Sequence, residues 1–311
     1  MSGKGIGFGK TILFGEHFVV YNLPSIASAI FTYTIAEVEE GTQGLELIDN
    51  RPAIEGYKTK KQGEIKRSLD LIMKYLNIDL EKTPLKITLS GQLKCASGIG
   101  ASAALASSIA RGLNEHFSLG LNDKEINEVA YEGEKGSAGN PSGIDNTCST
   151  YGGFLTFEKG EIGEKNKIER IKVKEPIPIV LVSTGITQET KEIVADIKKL
   201  KNENPEKYEK MFTEYKEIFK QGLESLKNGD IKKLGELMNK NMDLLREMTL
   251  SCKEIEKIIS IAKENEALGV KLTGTGRGGL VICLVPNEEI QFKVSKAIEQ
   301  AGFEATKTML K

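Results

Sequence analysis

The sequence predicts an α+β fold in two domains, and three observations carry that prediction. The first half mixes short β-rich runs with helices of small residues, the block from about Glu189 to Lys263 is nearly all Lys, Glu, Leu, Ile and Met, and the end returns to strands around one helix. Strand runs followed by helix runs read as α+β. A chain of 311 residues has room for about two domains. The change of composition puts their boundary near residue 175, giving 1–175 and 176–311.

In chain order, "TILFG", "VVY", "TYTIAEVEE" and "LKITLSG" read as strands, with a polar, loop-rich interval from Gly41 to Tyr57. "GEIKRSLDLIMKYLNI" places Ile65, Leu69, Ile72, Met73 and Leu76 at the spacing of an amphipathic helix. A second helix should begin near Ala101. "YGGFLTFEKGEIGEKN" is turn-rich and charged, and "IPIVLVSTG" is a further strand. The charged block reads as helical hairpins broken at "KNGD" and "LSC". Strands "GVKLTG" and "GLVICLV", helix "EEIQFKVSKAIEQAG" and strand "FEATKTML" close the chain.

Composition narrows the function classes. Lys and Arg number 43 against 44 Asp and Glu, so a net charge of −1 offers no global attraction to nucleic acid or an anionic membrane. Any anion site must be local. Cys95, Cys148, Cys252 and Cys283 are scattered without a C-x-x-C pair, which gives no support to a zinc site or a disulfide framework and suits a reducing cytoplasm. The opening "MSGKGIGFGK" has no apolar h-region. The uncharged stretch Phe18 to Ala36 contains Asn22, Pro24 and several Ser and Thr, and fits strand, turn and strand better than a membrane span. His116 reads as a surface position near a helix end.

Four segments can carry chemistry. From Cys95 to Ala110 no residue is charged and most are Gly, Ala or Ser, so something large must approach this backbone. Either a phosphate chain meets amides freed by Gly98 and Gly100 at a helix N-terminus, or another element packs closely there. The pattern is neither a Walker loop nor a dinucleotide fingerprint. Residues 131–153, "YEGEKGSAGNPSGIDNTCSTYGG", hold Glu132, Glu134 and Asp145; they read either as a surface loop or as carboxylates for magnesium and proton transfer. "KLTGTGRGGLVICLV" is a glycine-rich turn between two apolar runs. In "GKTILFGEHFVVYNLPSI", Lys10, Glu16 and His17 flank a short apolar run.

The order and wording of these segments resemble the GHMP kinase superfamily across nearly the whole chain: "GKTILFGEHFVVY" the first motif, "SGIGASAA" the second and "KLTGTGRGG" the third. "GEH", "GNPSGIDN" and "STYGG" resemble its mevalonate kinase branch. The resemblance implies an N-terminal domain with a left-handed β-α-β unit, an exception to the usual crossover hand, and a ferredoxin-like C-terminal domain with extra helices. It implies a cytoplasmic enzyme, monomer or homodimer, that uses ATP and Mg²⁺ to phosphorylate the 5-hydroxyl of (R)-mevalonate in isoprenoid biosynthesis, with no nucleic-acid or membrane partner.

Carried over by position, Ala96, Ser97, Gly98, Ile99, Gly100, Ala101 and Ser102 would wrap the ATP phosphates, and Gly274, Thr275 and Gly276 would close over them. Ser102 and Glu134 would hold Mg²⁺. Asp145 would be the catalytic base facing the substrate hydroxyl, Lys10 its partner, and Glu16 and His17 would help bind the substrate. Three positions depart from the family wording. Ala101 stands where Ser is common, Ala138 where His often precedes "GNPSG", and Arg277 interrupts the third glycine run. Ala101 keeps its backbone amide, so phosphate binding should survive; Arg277 adds a cation near the phosphate end or points to solvent.

Overall fold

The computed structural model describes residues 2–95, 98–139, 141–160, 166–186 and 190–310. The chain packs as two compact units, each discontinuous in sequence. One takes Met1–Lys10 with Ala29–Gly152, the other Thr11–Ser28 with Gly153–Lys311. Strands β1 (Gly3–Phe14) and β2 (Ser25–Glu40) pair with each other.

The first unit adds β3 (Leu45–Asp49), α1 (Tyr57–Tyr75), β4 (Leu85–Gly91), α2 (Ala101–Phe117), α3 (Asp123–Ala138) and α4 (Ile144–Tyr151). Strand β4 runs antiparallel to β2, from Thr34 opposite Gly91 to Glu40 opposite Leu85, and β3 lies parallel to β4 on its other side. Alternation along β4 sends Leu85, Ile87 and Leu89 inward against Leu69, Ile72 and Met73 of α1, Leu105, Ile109 and Leu113 of α2, and Ile126 and Val129 of α3. Helix α3 starts at a capping box, with Asn122 accepting from the Glu125 amide while the Glu125 side chain accepts from the Asn122 amide.

Between β1 and α2 the backbones meet without side chains. A Cβ on Gly3, Gly5 or Gly7 would sit 2.2, 2.0 or 2.1 Å from the carbonyl oxygens of Gly112, Ser108 and Ala104 respectively. Two residues of strand advance about 6.6 Å and four residues of helix about 6 Å, so the two repeats stay nearly in step. Close packing is therefore half the answer to the small residues of α2.

The second unit adds β5 (Phe154–Glu158), β6 (Lys167–Ile171), β7 (Ile177–Ser183), α5 (Thr190–Glu203), α6 (Pro205–Asn228), α7 (Ile231–Glu247), α8 (Lys253–Glu264), β8 (Gly269–Thr273), β9 (Leu280–Leu284), α9 (Glu288–Gln300) and β10 (Glu304–Leu310). Strands run β10-β7-β9-β8, each pair antiparallel, and Ser25–Ser28 of β2 pair with β5. Phe18 stacks on Tyr215 of α6 with ring centroids 3.9 Å apart, and the Tyr215 hydroxyl donates to the Pro24 carbonyl at 2.6 Å.

Several expectations give way. "VVY" is not a strand: Phe18–Tyr21 form a 3-10 turn between His17 at φ 59° and left-handed Asn22. The interval from Gly41 to Tyr57 contains β3, whose half-buried residues alternate too weakly with Glu46 and Asp49 to announce a strand. Helix α1 begins at Tyr57, before Gly63, taking in the charged run "KTKKQ". "FLTFE" is strand β5. Residues 131–153 are mostly helical, and two of the glycines that suggest a loop are contact notches in α3. A Cβ on Gly133 would meet Ile72 Cδ1 at 2.8 Å, and one on Gly136 the Ser68 nitrogen at 2.4 Å. An extra helix break falls at Asn204–Pro205, where proline opens α6. The breaks at "KNGD" and "LSC" and the strands of the carboxyl end stand as expected. Among the described residues no helix is long and apolar enough to cross a membrane.

Candidate active site

The start of α2 turns its first amides towards a glycine-rich turn. Gly98–Gly100 form a turn, Gly100 is left-handed at φ 70°, and among the described residues no side chain caps the helix or places an acid in its first turn. A Cβ on Gly100 would also press on Lys10 Cγ at 2.8 Å. The Lys10 amide donates to the Ile99 carbonyl at 2.9 Å, tying β1 to this turn. Ala96 and Ser97 lie outside the described residues. A cavity of about 250 Å³ opens here, lined by Gly98, Gly100, Ala101, Ser102, Glu134 and Asp145 among others. The amides at a helix N-terminus and the helix dipole favour an anion.

Asp145 sits in the first turn of α4. That short helix is fixed by Ser149 Oγ donating to the Phe8 carbonyl at 2.6 Å, by a Thr150–Ser107 hydroxyl contact at 3.0 Å, and by Asn146 Nδ2 donating to Asn127 Oδ1 at 2.9 Å. Lys10 Nζ reaches Asp145 Oδ1 at 3.1 Å. Burial works against the ammonium, but the charge and hydrogen bond of Asp145 outweigh it and raise the Lys10 pKa above its usual value. Lys10 is therefore a permanent cation near neutral pH.

Glu134, on α3, is buried. Burial, then the Asp145 carboxylate, push its pKa up to about 8, with Lys10 and Ser137 only partly opposing. Ser137 Oγ lies 3.5 Å from Glu134 Oε1. A carboxylate held against its own ionisation has much to gain from a further cation.

The second unit gathers its own set. Glu16 and Lys271 form an ion pair with both side chains wholly enclosed, and Lys271 Nζ also donates to the Leu272 carbonyl at 2.8 Å. Burial lowers the Lys271 pKa despite Glu16. His17 Nε2 stands 2.6 Å from the Thr275 carbonyl and donates to it in the neutral tautomer; burial first, and the Arg277 cation after it, lower the His17 pKa. Thr273 Oγ1 accepts from the Ile12 amide at 3.1 Å. Residues 11–17 and 271–275 are thus stitched together within this unit.

Arg277 neither points to open solvent nor lies free beside an anion site. Its guanidinium donates to the Thr249 carbonyl and hydroxyl at 3.1 and 3.2 Å and to Asp196 Oδ2 at 2.6 Å. Sequence reasoning brought Lys10, Asp145, Glu134 and Ser102 to one place; the contact of His17 with Thr275 it did not foresee. It missed Lys271, hidden in an apolar strand, and Tyr57, Lys61, Glu64 and Ser137, which also line the cavity. Helix α1's spacing at 57–64 could have found Tyr57, Lys61 and Glu64, had the helix been started there.

The family model for the GHMP kinases N terminal domain matches residues 64–153, and that for the GHMP kinases C terminal matches 223–304. Mevalonate kinase of Thermococcus sibiricus is 33% identical over 94% of this chain and 91% of its own length. The crystal structure of L. major mevalonate kinase in complex with R-mevalonate superposes with a TM-score of 0.93 at 38% identity, covering 99% of this chain and 96% of that one. The Methanococcus jannaschii mevalonate kinase structure gives 0.80 at 27% identity, covering 100% and 98%.

Proposed function

The chain belongs to the mevalonate kinase family of the GHMP kinases, and from that premise we propose that it transfers the γ-phosphoryl group of ATP to the 5-hydroxyl of (R)-mevalonate, with Lys10 and Asp145 at the reacting centre. The observation that carries this reading is the Lys10–Asp145 pair at 3.1 Å beside the uncapped start of α2. Phosphoryl transfer asks mainly for positioning and charge neutralisation. The amides of Gly98 to Ser102 would receive the phosphates, with Ala96 and Ser97 completing the loop. Asp145 would accept the hydroxyl proton, and Lys10 would stabilise the charge that develops.

Magnesium fits the residues present. Glu134 is a buried carboxylate without a full counter-charge, and the Ser102 hydroxyl lines the same cavity. Those two side chains would hold the ion, with phosphate and water oxygens filling the rest. When bound, it neutralises phosphate charge during transfer.

His17 is our candidate for binding mevalonate, supported by its fixed position against Thr275, and Gly274, Thr275 and Gly276 for covering the phosphates. Glu16, paired with the enclosed Lys271, stays beside His17 as the second candidate for binding substrate. We further take 1–175 and 176–311 as the functional domains, the left-handed unit in the first and the ferredoxin-like core in the second. The deciding experiment is a coupled assay with Mg-ATP and mevalonate, phosphomevalonate, homoserine and galactose in parallel. Mevalonate should be strongly preferred; preference for any of the others overturns the reading.

A further inference from the structure

The cavity at the start of α2 has a wall that the roles above leave unused. Helix α1 contributes Tyr57, Lys61 and Glu64 to its lining. Among the described lining residues the acids are Glu64, Glu134 and Asp145, and the cation is Lys61. Lys10, the neighbouring ammonium, is already paired with Asp145. A triphosphate entering this cavity therefore meets the carboxylates of Glu64 and Asp145, with Glu134 held against ionisation, and helix amides supply only partial positive charge. Lys61 is the side chain placed to correct that balance.

Its present partner is weakly holding. Lys61 Nζ lies 2.8 Å from both Oε1 and Oε2 of Glu64, one turn along the same helix, and both side chains remain partly exposed at 29% and 26%. Such a partly exposed i,i+3 pair holds its ammonium only weakly. A charge-assisted bond from an ammonium to phosphate is worth several times more. We propose that Lys61 is a nucleotide-phosphate contact, that its ammonium passes from Glu64 to a phosphate oxygen when ATP binds, and that Glu64 competes with the nucleotide for it.

This rests on the kinase reading above, and the test separates the two. Binding of a fluorescent N-methylanthraniloyl ATP is measured directly, alongside steady-state kinetics with mevalonate, for wild type, Lys61→Met, Lys61→Arg and Glu64→Gln. Lys61→Met should weaken nucleotide binding and raise the ATP KM by about tenfold, with the mevalonate KM within about twofold of wild type. Lys61→Arg should restore most of the loss. Glu64→Gln should tighten nucleotide binding, because the competitor has lost its charge. A pair that merely supports α1 would make both single variants weaken binding together, and that result overturns the proposal. So does a Lys61→Met protein that binds the nucleotide within about twofold of wild type. A wild type that binds the nucleotide but leaves mevalonate unphosphorylated would sink the kinase reading while leaving the Lys61 comparison readable.

Discussion

Lys10 Nζ stands 3.1 Å from Asp145 Oδ1, and both charges are held in place from the backbone outward: Lys10 through its amide on Ile99, Asp145 through the hydroxyl bonds that pin α4. Replacing Asp145 with Asn keeps the shape and removes the proton acceptor proposed above. Turnover should fall by about 10² to 10⁴ while the ATP KM stays within about twofold. Initial rates at saturating mevalonate check this; activity near wild type would take Asp145 out of the reacting centre.

In the proposed role, Glu134 would hold Mg²⁺ from a buried position. In Glu134→Gln one charged oxygen donor becomes a neutral amide, so the Mg²⁺ concentration needed for half-maximal rate should rise about tenfold or more. A magnesium titration at fixed ATP reads this out. An unchanged curve would mean that the ion is held elsewhere.

Glu16 and Lys271 should behave as a unit. Removing one partner leaves a charge stranded inside the protein, at a cost of about 3 to 5 kcal/mol. Glu16→Gln and Lys271→Met should each lower the midpoint of urea unfolding substantially, and the double variant should recover much of the loss. Simple addition of the two penalties would show the charges to be independent.

Neutral His17 sets a pH dependence. Its folded pKa lies below the reference 6.5 because burial and Arg277 resist the proton. The unfolded chain therefore binds more protons just below pH 6.5, so stability is full above that value and declines as pH falls towards the folded pKa. In His17→Gln this part of the decline should vanish. Thermal midpoints from about pH 5 to 8 test it, the gap between wild type and variant narrowing on the acid side.

Gly7→Ala tests the seam between β1 and α2. The added methyl carbon would lie 2.1 Å from the Ala104 carbonyl oxygen, forcing a backbone to move at a cost of about 1 to 3 kcal/mol or more. Chemical denaturation should show it, whereas alanine at exposed Gly120, where a Cβ meets no atom, should perturb packing far less despite its φ of 71°.

How much of this could be read beforehand depends on what each residue signals locally. The start of α2 at Ala101 was legible because glycine punctuation and a helical run adjoin there, and the pairing of strands at "GVKLTG" and "GLVICLV" because a turn separates two apolar runs. The grouping of Lys10, Glu134 and Asp145 came from family wording, since no spacing rule joins three positions so far apart. Gly133 and Gly136 misled because composition cannot distinguish a glycine that bends the chain from one that admits a neighbour. Lys271 was invisible for a related reason: its partner Glu16 comes from the opposite end of the sequence, and a lysine in an apolar strand looks like an exposed edge until that partner is known.

The stacked rings of Phe18 and Tyr215 have a consequence for how the protein is made. Residues 11–28 leave the ribosome early, yet they pack with Gly153–Lys311. At about 5 to 20 residues per second, the interval before Tyr215 emerges is on the order of ten to forty seconds. Throughout it Leu13, Phe14, Phe18 and Leu23, all buried in the finished protein, have no completed surface to enter. Residues 11–28 are thus a nascent hydrophobic segment with a long wait before their packing partners exist.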